Sequence, residues 1–263
     1  MKIKRILSLM LRHFYLIKGS FPRIFDLIYW PTVQIILWGF VSKFFTLYSS
    51  YFGNAVGVIL TAAILYDFLF RSSISYNMLF LEEIWSRNLI NLFVSPLRSS
   101  EVICALTSTA LLRTLLGLVP AVFIAMPLFN ISIFELGLPL YLLLLSLYMF
   151  GITLGLLVTA GLIRFGPSFE NVAWASLFFI APLGCIYYPV DILPDWIRPL
   201  ALSFPLAHIF EEMRSILVNN TVNYKNIFLA IGLNIFYIGL GVSIFYKAYK
   251  SAKNKGTLVN IGE

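Results

Sequence analysis

Residues 136–163 read LGLPLYLLLLSLYMFGITLGLLVTAGLI, a run that contains no charged side chain. About 20 mainly apolar residues in a helix cross the roughly 30 Å hydrocarbon core of a bilayer. The run therefore predicts a transmembrane helix. The whole chain agrees with this, because 60% of its 263 residues are hydrophobic and only 12% are charged, whereas soluble domains average about 25% charged residues.

Applying the same length criterion along the chain predicts an all-α membrane protein with one domain over residues 1–263. Within the fourth predicted span, Gly151 and Gly155 form a GxxxG pattern that favours close helix packing. The six predicted spans are residues 24–46, 54–80, 102–126, 136–163, 170–187 and 226–247.

The first 22 residues predict an amphipathic helix that lies in the membrane interface. Apolar residues recur at helical spacing and fall within an arc of roughly 100°, while Arg5, Ser8 and Arg12 face the other way. The alternative is an irregular basic leader. The apolar residues of the arc are Ile3, Ile6, Leu7, Met10, Phe14 and Ile17.

The distribution of Lys and Arg predicts the orientation. Six crossings would place both termini on one side, together with the 82–101 and 164–169 connections. That side would hold thirteen of the nineteen basic residues and the other side four, with Arg71 and Arg113 inside spans. Because cytoplasmic loops are enriched in Lys and Arg, both termini are predicted to be cytoplasmic.

The connection between spans two and three, FLEEIWSRNLINLFVSPLRSSE at residues 80–101, is unusually charged. Its apolar residues share one helical face, and Glu83 and Arg87 are spaced i,i+4. Pro96 should end the helix, because the residue before proline avoids the helical region. Two interpretations remain open: an interfacial connector, or a docking element whose exposed polar face contacts a cytoplasmic partner.

Residues 184–222 are too interrupted by proline to provide a span. Non-helical backbone at membrane depth must be buried in protein or line a cavity. We therefore expect re-entrant helices in the outer leaflet that form an external gate; a folded external loop is the alternative. The candidate gate residues are Tyr188, Pro189, Pro194, Trp196, Glu211 and Arg214.

Three charged residues fall inside predicted spans: Asp67, Arg71 and Arg113. An ionised group at the bilayer centre costs at least about 2.5–3.5 kcal/mol on insertion scales, so each should face protein or water. One interpretation is an Asp67–Arg71 pair, shared with Arg113, that holds two helices together. The other is the polar lining of a substrate path.

Enzymatic interpretations find no support in the sequence. No GxxxxGK[ST] loop is present to cradle ATP phosphates. His13 and His208 would lie on opposite sides of the bilayer and could not share a metal. We therefore predict no catalytic residue, no metal site and no cofactor bound by this chain. The basic residues suit anionic lipid headgroups better than nucleic acid.

Two segments resemble the permease subunits of ABC-2 type transporters. EEIWSRNLINLFVSPLRSSE, at residues 82–101, is similar to the family's acidic helix and L-x-x-S-P-[LV] turn. PLGCIYYPVDILPDWIRPLALSFPLAHIFEEMR, at residues 182–214, is similar to the segment that follows the fifth span. Residues 85–87 and 184–185 depart from the commonest family patterns, which affects the subfamily more than the family.

The resemblance implies a permease dimer docked on two separate ATP-binding subunits, which would hold ATP and magnesium. It would export a lipid, a glycan or polysaccharide, or a hydrophobic drug-like compound. The alternatives are a secondary transporter that relays charge through the intramembrane residues and a membrane anchor without transport. The residues expected to couple to the ATP-binding subunit are Glu82, Glu83, Arg87, Asn91, Ser95, Pro96 and Arg98.

Overall fold

A computed structural model describes residues 3–48, 55–89, 91, 95, 97–130 and 132–255. The fold is all-helical, with 88% helix and no strand among the described residues. The α-helices are α1 (Ile3–Lys18), α2 (Phe21–Tyr48), α3 (Ala55–Trp85), α4 (Ser99–Phe129), α5 (Pro139–Phe165), α6 (Glu170–Leu183), α7 (Arg198–Ser203), α8 (Pro205–Asn219) and α9 (Tyr224–Lys255).

Five of these helices, α2, α3, α4, α5 and α9, are long and apolar enough to cross a membrane, so the fold fits a multi-pass membrane protein. The fifth predicted span, residues 170–187, is instead the 14-residue helix α6, which is about 21 Å long at 1.5 Å per residue. Pro182 lies in its last turn, and Cys185 has a φ of +51° just beyond its end. The structure therefore does not confirm a helix of span length at residues 170–187.

Two large apolar clusters occupy opposite ends of the helix bundle. One, here called the α1 end, contains Leu9 of α1, Leu79 of α3, Leu106 of α4, Leu162 of α5 and Phe245 of α9. The other, here called the α8 end, joins residues from the opposite halves of α3, α4 and α5 with α8 and the start of α9. The described residues of the 82–101 segment and the carboxyl ends of α5 and α9 therefore lie at the same end as α1.

Helix α1 packs on the bundle through a face that differs from the predicted apolar arc. Leu9, His13 and Ile17 are buried, whereas Leu7 and Phe14 of the arc are each 49% exposed. Arg5 and Arg12, which were expected to point away from the apolar face, form ion pairs with the bundle. The face of α1 that packs on the bundle therefore includes its basic side. The apolar strip that contains Leu7 and Phe14 stays exposed beside it.

The first part of the 82–101 segment is not a separate helix. α3 continues without interruption to Trp85, because Leu81 and Ile84 remain buried in the cluster at the α1 end. The chain then turns at Arg87, which has a φ of +52°. The predicted stop at Pro96 lies outside the described residues.

The GxxxG pattern of α5 packs closely on another helix, as its spacing predicts, and that helix is α3. A Cβ added to Gly151 would lie 2.8 Å from Ser72 Cβ, and one added to Gly155 would lie 2.9 Å from Tyr76 Cβ. Real Cβ atoms do not approach each other so closely, so glycine at these two positions permits the observed distance between α3 and α5.

We expect Gly155→Val to lower the free energy of unfolding by about 1–3 kcal/mol, because overpacking must separate α3 from α5 or strain the buried Tyr76. Gly232→Val in α9 is the matched control, since nothing lies within 4 Å of a Cβ added there. Denaturant titration in detergent micelles measures both. Equal losses of stability in the two variants would contradict the packing role.

Candidate functional site

Five charged or titratable side chains from three helices meet at the α1 end, and we call them the charge junction. Arg12 and His13 come from α1, Glu82 and Glu83 from the last turn of α3, and Arg113 from α4. His13 is fully buried, and the two glutamates are 8% and 1% exposed. Three helices are thus joined through charges that are mostly buried, although the Arg12 side chain is 33% exposed.

Glu83 holds α1 against α3. Its Oε1 accepts a hydrogen bond from the Arg12 guanidinium, and its Oε2 accepts one from Asn88 Nδ2 at 2.7 Å. His13 Nε2 lies 3.3 Å from the same Oε1. The sequence-based expectation of an exposed Glu83 paired with Arg87 is therefore wrong, because the unbroken α3 turns Glu83 inward towards α1.

Glu82 holds α3 against α4. Arg113 Nη1 donates to Glu82 Oε1 at 3.2 Å, and each side chain of this pair is only 8% exposed. Arg113 was expected to share the Asp67–Arg71 pair, but its partner is Glu82. The residues of α4 up to Ala110 pack in the same apolar cluster as Leu81 and Ile84, so Arg113 lies within reach of the last turn of α3.

His13 lies between the two carboxylates. Its Nδ1 is 3.7 Å from Glu82 Oε2, and its Nε2 is 3.3 Å from Glu83 Oε1. An imidazolium can donate from both nitrogens, whereas a neutral imidazole donates from one. Both ring nitrogens therefore face a carboxylate oxygen at the end of α3.

A second ion pair fixes α1 two turns away from the charge junction. Arg5 Nη1 lies 3.5 Å from Glu101 Oε2 at the start of α4. The same carboxylate oxygen accepts a hydrogen bond from the Arg98 backbone N–H at 3.0 Å, as a capping residue in a first helical turn does. α1 is consequently clamped to the bundle at both ends of the 82–101 segment.

The remaining coupling candidates differ in their exposure. Arg87, Asn91 and Arg98 are exposed, and Trp85 is 55% exposed. Ser95 is partly buried, and Pro96 lies outside the described residues. A surface for a partner at this connection is therefore limited to side chains beyond the last buried turn of α3, and it excludes Glu82 and Glu83.

Asp67 and Arg71 form the predicted pair within α3. Arg71 Nε donates to Asp67 Oδ2 at 2.8 Å, and the Asp67 side chain is 3% exposed. The neighbouring Tyr66 donates its hydroxyl hydrogen to the Leu177 carbonyl of α6 at 3.0 Å. Because Arg113 is engaged elsewhere, the three residues proposed for a charge relay are not brought together.

At the α8 end, Glu211 and Arg214 of α8 fasten the turn that follows α6. Arg214 Nη1 donates to the carbonyls of Cys185 and Ile186 at 2.8 and 3.1 Å. Glu211 Oε1 accepts a hydrogen bond from the Val190 N–H at 2.6 Å. These contacts satisfy backbone groups that the irregular turn leaves without helical partners.

The other gate candidates line the outside of this turn. Tyr188 donates to the Pro182 carbonyl at 2.7 Å, and burial raises the pKa of its phenol. Pro189 and Pro194 are exposed, and Trp196 is 80% exposed. An exposed Trp of this kind suits the interface between a membrane and water.

Sequence patterns missed the contributions of Arg12, His13 and Glu101 to the α1 end, and that of Glu212 to the α8 end. Glu212 is fully buried and accepts hydrogen bonds from the Asn223 N–H at 2.6 Å and from Asn226 Nδ2 at 3.3 Å. The adjacent acids Glu211 and Glu212 thus fasten two different loops. In the part of the chain that the structure describes, no group of three His, Cys, Asp or Glu side chains could hold a metal ion.

Comparison with known proteins assigns no family. No protein-family model matches the chain, and no curated protein matches it in sequence.

Proposed function

We propose that this chain is the permease subunit of an ATP-driven exporter of the ABC-2 type. In this proposal it forms a homodimer in a bacterial inner membrane and has both termini in the cytoplasm. Separate ATP-binding subunits hold ATP and magnesium. The cargo class is a lipid, a glycan or polysaccharide, or a hydrophobic drug-like compound that leaves the cytoplasm or the inner leaflet.

The observation that carries the proposal is the charge junction. It locks α1, the last turn of α3 and the middle of α4 together next to the connection at residues 86–98. A connector that only joined two helices would not need buried ion pairs. A connector that receives force from a partner does need them, because an unlocked loop would deform before the helices moved.

Helix α3 provides a path for that force. It is continuous from Ala55 to Trp85, or about 46 Å at 1.5 Å per residue, and its first half belongs to the apolar cluster at the α8 end. Displacement of the exposed surface around Trp85 and Arg87 would therefore move side chains at the far end of the bundle. Such rigid-body movement is a common form of domain rearrangement.

A sixth crossing through α6 is also part of the proposal. Ala173, near the start of α6, belongs to the apolar cluster at the α1 end, whereas Ile180 belongs to the cluster at the α8 end. The short helix thus extends from one cluster to the other, beside the α3 residues Tyr66 and Phe70. The preceding turn at Pro167–Phe169 adds to its reach.

The test combines co-purification with charge reversal. We expect an ATPase to co-purify with the affinity-tagged chain from native membranes, and Arg87→Glu with Arg98→Glu to reduce its retention by roughly tenfold. Exposed ion pairs contribute about 0.2–1 kcal/mol each, and reversal replaces attraction by repulsion. Stimulated ATP hydrolysis should fall in parallel, with an unchanged amount of the chain in the membrane.

Lys225→Glu is the matched control, because Lys225 is an exposed cation at the α8 end; it should retain the ATPase. Transport that persists without any ATPase and collapses when a proton gradient is dissipated would instead identify a secondary transporter. Once transport is established, identification of the compounds that co-purify with the complex would narrow the cargo class.

A further inference from the structure

A cleft of about 780 Å³ opens between the carboxyl-terminal parts of α5 and α9. Ligand pockets in proteins typically span about 300–1,000 Å³, so the cleft is large enough for a substantial ligand. It lies at the α1 end of the bundle, where Leu162 and Ala252 of these two helices join the apolar cluster. None of its lining residues belongs to the charge junction.

Two cations line this cleft, Arg164 of α5 and Lys247 of α9, and Ser251 lies one helical turn beyond Lys247. Within the described part of the chain, neither cation forms an ion pair or a side-chain hydrogen bond. The Arg164 guanidinium lies over the Phe165 ring, 5.4 Å from its centroid. Two exposed cations without carboxylate partners in one concave site give it a positive potential, which favours a negatively charged ligand.

The rest of the cleft is apolar. Its walls are formed by Leu157 and Ile163 of α5, by Phe169 of the turn before α6, and by Ile244 of α9. Ile244 is 40% exposed. Gly161 allows the Phe169 ring to lie directly against α5, since a Cβ at this position would collide with that ring. A soluble anion would leave these apolar walls exposed, whereas the acyl chains of a lipid would pack against them.

We propose that this cleft binds an anionic phospholipid, with Arg164, Lys247 and Ser251 around the phosphate and the first acyl carbons against Phe169 and Ile244. Basic pockets between transmembrane helices on the cytoplasmic side bind anionic headgroups in this way. The site connects α5 to α9 and is separate from the 86–98 connection. The inference needs membrane insertion but no ATPase, so failure of the ATPase test leaves it standing.

The test uses the full-length chain in neutral detergent, titrated with phosphatidylglycerol or phosphatidylcholine and followed by native mass spectrometry. We expect tighter binding of phosphatidylglycerol, and binding weakened about 30-fold by Arg164→Gln with Lys247→Gln, since each cation near an anionic headgroup contributes about fivefold. Arg164→Lys with Lys247→Arg keeps both charges and should stay within about threefold of the wild type. Lys225→Gln, at the other end of α9, should change nothing.

A photoreactive phosphatidylglycerol gives a second readout in the wild-type chain, independent of whether the variants fold. Crosslinks confined to residues 157–169 and 244–252 are expected. Equal binding by the wild type and the Gln double variant, equal affinity for the two lipids, or crosslinks only elsewhere would overturn the proposal. Complete displacement by millimolar inorganic phosphate would also overturn it, because the site would then be one for a soluble anion.

Discussion

Glu82→Gln is expected to lower the free energy of unfolding by about 3–5 kcal/mol, because it leaves the Arg113 guanidinium buried without a counter-charge. The Arg113 side chain is only 8% exposed. Its Nε already has no hydrogen-bond partner. The measurement is denaturant-induced unfolding of the purified chain in detergent micelles, where the wild type provides the reference.

A double-mutant cycle separates the interaction energy between Glu82 and Arg113 from the cost of changing either side chain alone. Arg113→Gln should cost less than Glu82→Gln, since Glu82 still faces His13. Glu82→Gln with Arg113→Gln should cost less than the sum of the single changes, with a coupling of about 1–3 kcal/mol. Glu135→Gln is the matched control, as Glu135 is exposed. Strict additivity would show that Glu82 and Arg113 do not stabilise each other.

The membrane class and most of the helices follow directly from the sequence. In a bilayer every backbone N–H and C=O needs an internal partner, so a long apolar run has few alternatives to a helix. The uncharged run at 136–163 corresponds to Pro139–Phe165, with its start set by a proline at the first helical position. The close packing at the GxxxG pattern follows from its spacing, but the identity of the partner helix, α3, does not.

The length of α6 could not be deduced in the same way. Hydropathy counts residues 170–187 as one segment, but it does not record the effect of Pro182 and Gly184 on the helix end. The turn beyond α6 is held by Arg214, which is 29 residues further along the chain. A long-range hydrogen bond of this kind leaves no local periodicity to detect.

The charge junction was not predicted because it also depends on contacts between residues that are far apart in the sequence. Helical periodicity placed Arg5 and Arg12 on the water-facing side of α1, but their partners lie about 70 residues or more away along the chain. One signal was available, however. Glu82 and Glu83 directly follow an apolar span, and if α3 continued without a break, both would need cations from another helix.

Glu83→Lys is expected to detach α1 from the bundle. The new ammonium group would face Arg12 and His13, which now both approach the Glu83 carboxylate. Only Glu83 of this pair is buried, since the Arg12 side chain is 33% exposed. Placing like charges together costs more than removing one partner, and removing one partner of a fully buried pair costs about 3–5 kcal/mol. The variant should therefore lose the packing of α1 as well as stability, and it is unsuited to testing partner docking alone.

Cysteine labelling at position 9 reports on this detachment, because Leu9 is 6% exposed in the intact fold. With Cys104 and Cys185 replaced by Ser, Leu9→Cys should react slowly alone and at least about tenfold faster with Glu83→Lys, since tenfold corresponds to only about 1.4 kcal/mol of opening free energy. Adding Arg12→Glu restores an opposite-charge pair and should recover much of the protection. Asp195→Lys, at a side chain that is 97% exposed, should leave labelling unchanged. Slow labelling in the Glu83→Lys chain would mean that apolar contacts hold α1 without the junction, and the connector at residues 86–98 would then have to transmit force by another route.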